Sequence, residues 1–261
     1  MNTHTNSCRI SKNKIKFIHS LEQKKQRTAE RLFIAEGHKS VGDLLREGFR
    51  PRLIVATQEW ESPTTLDSSC EYIIVTPEEL AKASLLLHPQ QVLGLFEMNS
   101  PEEVPPYETL ANELCICLDG VQDPGNLGTI IRTADWFGIK NIICSKTTAD
   151  AYNPKVVQAT MGSISRVHLC YTDLYQYIKG IPSNIPVYGT VLDGDDIYKT
   201  ELQNNGLIIM GNEGNGISDS IKGLLTQKLL IPAYKTNSTT AESLNVSIAT
   251  AIICSEFRRR C

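Results

Sequence analysis

The chain has 261 residues, of which 41% are hydrophobic and 21% charged, and this length allows one large core or two smaller ones. Its net charge of −3, taken alone, argues against a nucleic-acid partner. We expect a soluble cytoplasmic protein, because no segment approaches the roughly 20 apolar residues of a membrane helix and the polar residues 1–7 lack the apolar core of a signal peptide.

The first part of the chain is basic. Residues 9–52 contain 12 Lys or Arg against 5 Asp or Glu, a balance of +7, which leaves −10 for the rest of the chain. Such a segment would attract an RNA phosphate backbone. A long amphipathic helix with a solvated, lysine-rich face over residues 12–27 explains the same charges, and the charges alone favour this second explanation.

Apolar runs alternate with helical patterns in this first part. We predict a helix over residues 40–47 and strands over residues 32–35, 53–56, 72–75 and 91–97. The alternation indicates a small α/β domain.

A change of composition separates the two halves of the chain. Residues 99–107 contain three prolines and no apolar period, which is typical of a linker. We therefore predict a first domain at residues 1–98, a linker at 99–112 and a second domain at 113–261.

The second part begins with the pattern of a βαβ unit. It has a buried-strand run at residues 113–118, a helix at 125–137 and a strand at 141–144. Further elements are predicted as strands at residues 165–170, 187–192, 207–210 and 228–231 and a last helix at about 242–259. The second domain is therefore expected to be α/β, with a parallel sheet covered on both faces.

The eight cysteines include no CxxC pair, and several lie in apolar runs such as residues 114–118. We expect reduced thiols in the core, because a structural zinc site needs clustered Cys or His ligands at short spacings. The sequence therefore predicts no bound metal.

Ligands of open α/β sheets bind beyond the carboxyl ends of the strands, so the loops that leave the strands are the places to search. Residues 123–126 carry a turn and helix-start signal, which places Asn126 near a helix N-terminus and Arg132 near two turns further on. Both are candidates for ligand binding. A capping asparagine and a surface arginine are the alternative, which is favoured for an isolated copy of this pattern.

Two later loops also have unusual compositions. The strand at 207–210 leads into glycines at 211, 214 and 216, which indicates close approach of the backbone to another group, and Glu213 among them is a poor choice for a plain turn. The glycine spacing fits neither a dinucleotide fingerprint nor a Walker loop. In the third loop Ser243, Asn245 and Ser247 either cap the last helix or face a ligand, and the residues alone do not separate these alternatives.

Taken in order, three segments resemble the three motifs of the SpoU (TrmH-like) family. They are N-x-G-T-I-I-R-T-A at residues 126–134, I-I-M-G-N-E-G-N-G-I at 208–217, and I-P at 231–232 followed by E-S-L-N-V-S-I-A at 242–249. Residues 161–167 are similar to the small-residue segment between the family's first two motifs. Residues 24–27 and 33–39 resemble the ribosomal-protein-like RNA-binding domain that precedes the catalytic domain in many relatives.

The resemblance implies a SPOUT fold, in which the C-terminal segment passes through a loop as a deep trefoil knot and the knotted loops bind S-adenosylmethionine. Generic topology rules would exclude a knot, so that expectation rests on the resemblance alone. The resemblance also implies a homodimer whose active site lies across the subunit interface, and methylation of a ribose 2′-hydroxyl in RNA. We expect 23S ribosomal RNA as substrate, because the added N-terminal domain is typical of such relatives. One alternative is transfer RNA as the substrate. The other is that the chain is a catalytically inactive RNA-binding protein of the same fold.

The positions of residues in these motifs imply their roles. Asn126 and Arg132 would face the target ribose and its phosphate, Glu213 occupies the acidic position of the second motif, and Ser243 and Asn245 form the polar pair of the third. The residues expected to bind the cofactor are Gly211, Ile231, Leu244 and Thr190.

Methyl transfer to a 2′-hydroxyl needs two aligned reactants and an acceptor for the proton, and neither need requires a metal. The family assigns the handling of the proton to Arg132. Because an arginine normally stays protonated, Arg132 either acts as a base in a desolvated site or binds the neighbouring phosphate and stabilises the developing alkoxide. In one departure from the family, residues 233–241 form a longer link without glycine, which is expected to alter the cofactor pocket around Leu244.

Overall fold

The computed structural model of the protein describes residues 10–100, 103–234 and 243–259. These residues form two compact units. The first unit contains the described residues up to Ser100 together with Asp150–Ser165, and the second unit contains the others.

Helices and strands alternate along both units. The helices are α1 (Lys12–Ser20), α2 (Lys24–Glu30), α3 (His38–Arg46), α4 (Pro77–Ala83), α5 (Tyr107–Asn112), α6 (Pro124–Trp136), α7 (Pro154–Thr160), α8 (Leu174–Lys179), α9 (Asp219–Lys222) and α10 (Val246–Arg259). The strands are β1 (Leu32–Glu36), β2 (Pro51–Ala56), β3 (Glu71–Ile74), β4 (Val92–Glu97), β5 (Leu114–Asp119), β6 (Asn141–Ser145), β7 (His168–Thr172), β8 (Val187–Asp196), β9 (Gly206–Gly211) and β10 (Gln227–Leu230).

The first unit contains a mixed four-stranded sheet in the order β1-β4-β2-β3. Strand β4 runs antiparallel to β1 and β2, whereas β3 runs parallel to β2. The four strands and the helix α3 that the sequence predicted are present. The unit is therefore a small α/β domain, as expected from the alternation of apolar runs.

The predicted long helix over residues 12–27 is two helices, α1 and α2, separated by a turn at Leu21. Arg27 explains the break, because one of its guanidinium nitrogens donates to the carbonyl oxygens of Leu21 and Glu22 at 2.8 and 2.7 Å, beyond the last turn of α1. Its other terminal nitrogen lies 2.5 Å from Oδ2 of Asp150. Arg27 is only 1% exposed, so it does not belong to a solvated lysine-rich face. A buried guanidinium needs such partners.

The segment Asp150–Ser165 packs in the first unit although it follows β6 in the chain. Val157 and Ile164 lie in the same buried cluster as Phe33, and the ring centroids of Phe33 and Tyr152 are 4.7 Å apart. The division of the chain predicted from composition assigns this segment to the second domain. Composition marks boundaries between contiguous stretches, so it does not detect a short return of the chain to an earlier unit.

The second unit contains a six-stranded sheet in the order β10-β8-β9-β5-β6-β7, and its described neighbouring strands all pair in parallel. The predicted α/β domain with a parallel sheet is confirmed. Leu110 of α5, Tyr177 of α8 and Ile221 of α9 cover one face. On the other face α6 packs against β6, α10 packs against β9, and the rings of Tyr188 and Phe257 meet edge to face at 4.9 Å.

Helices α6 and α10 lie side by side and run in the same direction. Asn245, directly before α10, is hydrogen-bonded to Asn126 in the first turn of α6. At the other end, Nε of Arg258 donates to the carbonyl oxygen of Phe137 at 2.8 Å, directly after α6. The N-termini of both helices therefore meet at one edge of the sheet.

Three predicted elements of the second unit differ from the observed ones. The strand predicted at 165–170 begins at His168, because residues 163–165 form a 3₁₀ turn, and the second half of the predicted linker forms α5. The last helix begins at Val246 instead of residue 242. Residues 235–242, which hold most of the long link and the start of the third motif, lie outside the described residues, so the trefoil knot stays a prediction.

Six cysteines lie among the described residues and are free thiols, five of them buried, whereas Cys8 and Cys261 lie outside those residues. Burial raises the pKa of Cys115 and Cys254 to about 12, so these thiols are protonated at neutral pH. Within the described ranges no three His, Cys, Asp or Glu side chains are grouped in a way that could hold a metal ion. No helix in the same ranges is long and apolar enough to cross a membrane.

Candidate active site

The candidate site lies where β5 and β9 end. These two strands pair in parallel up to Asp119 and Gly211, so the loops that follow them leave the sheet side by side. The β5 loop leads into α6 and contains Gly120, whose φ of +76° suits glycine. The β9 loop contains the three glycines predicted to allow close approach of the backbone.

Local sequence fixes the start of α6. Oδ1 of Asp123 accepts a hydrogen bond from the backbone N–H of Asn126 at 2.8 Å, and Pro124 occupies the first helical turn. Asp123 is therefore the N-cap, and the side chain of Asn126 is not needed for capping. The alternative interpretation of Asn126 as the capping residue is wrong.

Three predicted site residues form one hydrogen-bonded network. Nδ2 of Asn126 donates to Oε1 of Glu213 at 3.0 Å, and Oδ1 of Asn126 accepts from Nδ2 of Asn245 at 2.9 Å. The carboxylate of Glu213 also accepts the backbone N–H groups of Gln122 and Asp123, both at 3.3 Å. Residues from all three motifs are thus brought together.

Asn245 also begins α10. Its Oδ1 accepts from the backbone N–H of Ser247 at 2.9 Å and from the Ser247 hydroxyl at 2.6 Å, and more weakly from the N–H of Ile248. The sequence left open whether these residues cap the helix or face a ligand. Asn245 caps the helix with its side-chain oxygen and contacts Asn126 with its side-chain nitrogen. The same side chain therefore fixes both the start of α10 and the network.

Asn212 is a residue of this site that sequence reasoning did not single out. Its Nδ2 donates to the carbonyl oxygen of Gly120 at 2.7 Å, while its Oδ1 accepts the N–H groups of Gly214 and Asn215. Asn212 therefore joins the β9 loop to the β5 loop and fixes the position of Glu213 beside it. Its place in a segment rich in glycine, directly after Gly211, was the available signal, because a polar side chain there has few local reasons to be ordered.

Electrostatics keep Glu213 ionised. Partial burial raises the pKa of its carboxyl, but hydrogen bonds from Asn126 and from the loop backbone stabilise the charged form more strongly, so the pKa lies below its ordinary value of 4.5. The site therefore contains a carboxylate whose two oxygens are occupied by donors.

This shift predicts how stability depends on pH. A lowered folded-state pKa stabilises the protein above the unfolded value near 4.5, and the stabilisation is lost as the pH falls through the folded-state pKa. Glu213→Gln removes this titration. We expect the variant to be less stable than the wild type at neutral pH and the difference to shrink below pH 4.5 in urea unfolding followed over pH. A difference that is constant over pH would contradict this.

Two predicted catalytic residues stand outside the network. Arg132 follows Asn126 by six residues, which places it about 120° around the helix axis, and its side chain is exposed. Neither Arg132 nor Ser243 has a hydrogen-bond or ion-pair partner among the described residues. Arg132 is therefore a cation that faces solvent and, among the described residues, makes no hydrogen bond or ion pair with the network of its own chain.

Three of the residues predicted to bind the cofactor belong to neighbouring strands: Gly211 ends β9, Ile231 directly follows β10 and Thr190 lies within β8. Leu244, the fourth, directly precedes Asn245 of the network. The pairing of β8 with β10 jumps from Gly189 opposite Lys228 to Asp195 opposite Leu229, so residues 190–194 bulge out of the sheet. Thr190, in this bulge, donates its hydroxyl to the carbonyl oxygen of Ile209 at 3.1 Å.

Two large apolar side chains are exposed in this region, Leu192 at 74% and Leu244 at 49%, and Ile231 is half-buried. A Cβ on Gly211 would lie 2.2 Å from the carbonyl carbon of Gly216. These segments thus combine closely packed glycine backbone with exposed apolar side chains, a composition that suits a ligand with a flat apolar ring and polar edges.

Sequence comparison identifies the family. The model of the SpoU rRNA Methylase family matches residues 113–255, and that of the MRM3-like substrate binding domain matches residues 12–94. The chain is 31% identical to the 23S rRNA (guanosine(2553)-2′-O)-methyltransferase RlmP of Bacillus subtilis, and the match covers 94% of this chain and 96% of that protein.

Solved structures agree. A protein of the TrmH family from Porphyromonas gingivalis superposes with a TM-score of 0.85 at 38% identity, covering 97% of this chain and all of that one. An AdoMet-bound rRNA methyltransferase from Sinorhizobium meliloti gives a TM-score of 0.80 at 32% identity, with 94% of each chain covered. The chain therefore belongs to the SpoU rRNA methylase family.

Proposed function

We propose that this chain transfers a methyl group from S-adenosylmethionine to a ribose 2′-hydroxyl of 23S ribosomal RNA. The observation that carries the proposal is the network of Asn245, Asn126 and Glu213 at the carboxyl edge of the parallel sheet. The chain is an RNA 2′-O-methyltransferase of the SpoU family. Relatives named as 23S rRNA methyltransferases support ribosomal RNA over transfer RNA as the substrate.

The cofactor is S-adenosylmethionine, which supplies a methyl group carried on a positively charged sulfur. The composition of the segments around Gly211, Ile231 and Leu244 suits this cofactor, because backbone groups can bind the polar edges of adenine and ribose and exposed leucines can pack on the ring. We assign cofactor binding to the backbone of Gly211, Ile231 and Leu244 and to Thr190.

The polar network serves to hold the target ribose. Both ends of the Asn126 amide are fixed by Glu213 and Asn245, so the side chain is held in one orientation. A fixed amide orients a reacting hydroxyl without reorganising during the reaction. Ser243, exposed directly before the cofactor residue Leu244, contributes a hydroxyl to the same edge.

Of the two roles open to Arg132, we assign it phosphate binding with stabilisation of the developing alkoxide. A role as base requires a deprotonated guanidinium, whereas an arginine normally keeps its proton. A protonated guanidinium binds phosphate oxygens through two parallel hydrogen bonds. Arg132 therefore places positive charge where negative charge develops.

A second copy of the chain would complete the site. The outer faces of the parallel pair α6 and α10 expose Trp136 at 85% and Ile248 at 52%, and Arg132 lies one turn from Trp136. Exposed large apolar side chains on adjacent helices are typical of a protein interface. We infer a homodimer through this face, in which Arg132 of each chain acts in the site of the other.

The first unit would bind the RNA. Lys12, Lys16, Lys24 and Lys25 are exposed on α1 and α2. A cavity of about 730 Å³ in the same unit is lined by Arg31, Arg50 and Arg52 among others. These cations suit a phosphate backbone, and the family name of this domain supports the role. We propose a cytoplasmic location, which the bacterial rRNA methyltransferases among the relatives support.

The test is transfer of labelled methyl groups from S-adenosylmethionine to unmodified ribosomal and transfer RNA. We expect label in ribosomal RNA as a 2′-O-methyl nucleotide, and Asn126→Ala should reduce the rate at least about 100-fold, as for loss of one preorganised hydrogen-bond donor. Label in transfer RNA alone would favour the alternative substrate. No label in either RNA despite cofactor binding would favour an RNA-binding protein without catalysis.

A further inference from the structure

One edge of the second unit is not used by the residues assigned so far. Three of the cofactor residues lie in or directly after β8, β9 and β10, and the polar network lies between β9 and β5. In the sheet order, β6 and β7 follow on the far side of β5. The carboxyl ends of β6 and β7 are therefore beside the network, on the side away from the cofactor.

The loop after β6 is hydrogen-bonded to the loop after β5, which is part of the site. Oγ of Ser145 accepts the backbone N–H of Gly120 at 3.0 Å and lies 2.9 Å from Oγ1 of Thr147. A Cβ placed on Gly120 would lie 3.5 Å from that Thr147 hydroxyl and 3.8 Å from Cβ of Asn212. Thr147 and Asn212 thus flank Gly120, and the β6 loop forms one wall of the site.

This loop presents a positive charge to solvent. Lys146 is exposed and has no hydrogen-bond or ion-pair partner among the residues that the structure describes. It follows β6 directly, between the two hydroxyl-bearing residues Ser145 and Thr147. A lysine in this position can bind a phosphate oxygen at low cost, because no existing ion pair must be broken.

An aromatic ring lies at the end of the next strand. The hydroxyl of Tyr171, in β7, donates to the carbonyl oxygen of Ala149 at 2.6 Å, which holds the ring against the end of the β6 loop. The residue remains 40% exposed. Proteins bind single-stranded RNA with this combination of groups: the exposed ring stacks on a base and the lysine contacts the phosphate backbone.

We propose that Lys146, Thr147 and Tyr171 form an RNA-binding edge, at which Lys146 contacts a phosphodiester next to the target nucleotide and Tyr171 stacks on a neighbouring unpaired base. The assignment rests on the proposed function, because it places the RNA beside the network that holds its ribose. It gives RNA a binding surface in the second unit in addition to that of the first.

The test varies RNA at saturating S-adenosylmethionine and compares the wild type with Lys146→Ala, Lys146→Arg and Lys140→Ala. Lys140 is the control, because it is an exposed lysine directly before β6, at the end of the strand away from the site, where its Nζ lies 3.9 Å from Oε1 of Glu113. Lys146→Ala should raise the KM for RNA roughly fivefold, as for loss of one exposed ionic contact, with kcat and cofactor affinity unchanged. Lys146→Arg and Lys140→Ala should behave like the wild type.

Two further measurements separate binding from structure. Lys146→Ala should reduce the slope of the logarithm of RNA affinity against the logarithm of salt concentration by about 0.7 to 0.9, the value for one phosphate. Tyr171→Ala should raise the KM roughly tenfold, whereas Tyr171→Phe, which keeps the ring, should stay close to the wild type.

The proposed RNA-binding edge is wrong if the wild type methylates RNA while Lys146→Ala keeps the wild-type KM and salt slope and Tyr171→Ala keeps the wild-type KM. A lowered kcat at unchanged KM in Lys146→Ala would overturn it as well. A wild type without transfer to any RNA would instead overturn the proposed function itself.

Discussion

Gly211→Ala should abolish methyl transfer and weaken binding of S-adenosylmethionine. The added Cβ would lie 2.2 Å from the carbonyl carbon of Gly216 and 2.3 Å from the backbone nitrogen of Ile217, so backbone must move. The movement would strain the paired hydrogen bonds between Asn212 and Gly216, at 3.0 and 2.9 Å. Overpacking of this kind costs about 1 to 3 kcal/mol. The same movement displaces Glu213 and with it the orientation of Asn126.

Gly214→Ala is the matched control in the same loop. A Cβ at that position would approach only Oδ1 of Asn212, at 3.5 Å, an ordinary contact. We expect near-normal cofactor affinity, melting temperature and activity for Gly214→Ala, and losses of all three for Gly211→Ala, measured by calorimetry and by methyl transfer. Wild-type behaviour of Gly211→Ala would mean that the site does not need the close approach of Gly211 to the backbone of Gly216.

Much of the second unit was predictable because its strands are buried on both faces. Runs such as residues 114–118 and 207–210 are continuously apolar, which is typical of the interior strands of a parallel sheet. Short helices without a clear period, such as α5 and α9, gave no comparable signal. The division of a helix by a single buried residue, Arg27, was likewise not readable, because its partners come from α1 and from Asp150 far along the chain.

The residues of the candidate site could be predicted from the sequence better than the hydrogen bonds between them. The motifs identified Asn126, Glu213 and Asn245, which lie far apart in the chain. They meet only because β5 and β9 end, and α6 and α10 begin, at one edge of the sheet. The part played by Asn212 depends on backbone atoms of another loop. The place of Asn212 in the glycine-rich segment was a signal, but pattern and spacing carry no information on its contact with Gly120, which could be recognised only in the fold.

The position of Arg132 gives the strongest test of how the site is built. Arg132→Ala should reduce methyl transfer by about 10² to 10³-fold, as for loss of a group that stabilises developing charge, with cofactor affinity unchanged. Arg132→Lys keeps the charge but loses the paired hydrogen bonds, so it should recover only part of the rate. A rate within a few-fold of the wild type in Arg132→Ala would remove this residue from the mechanism.

Co-expression of Arg132→Ala with Asn126→Ala decides which chain supplies the arginine. If each site combines Asn126 of one chain with Arg132 of the other, half of the dimers are hybrids and each hybrid keeps one intact site, which gives about a quarter of the wild-type activity. If both residues act within one chain, no hybrid has an intact site and the mixture stays as inactive as either variant. The exposed Arg132 and Trp136 on the outer face of α6 lead us to expect the first result. Trp136→Glu, which places a charge on that face, should lower activity together with the dimer fraction measured by light scattering, because neither chain can then complete the site of the other.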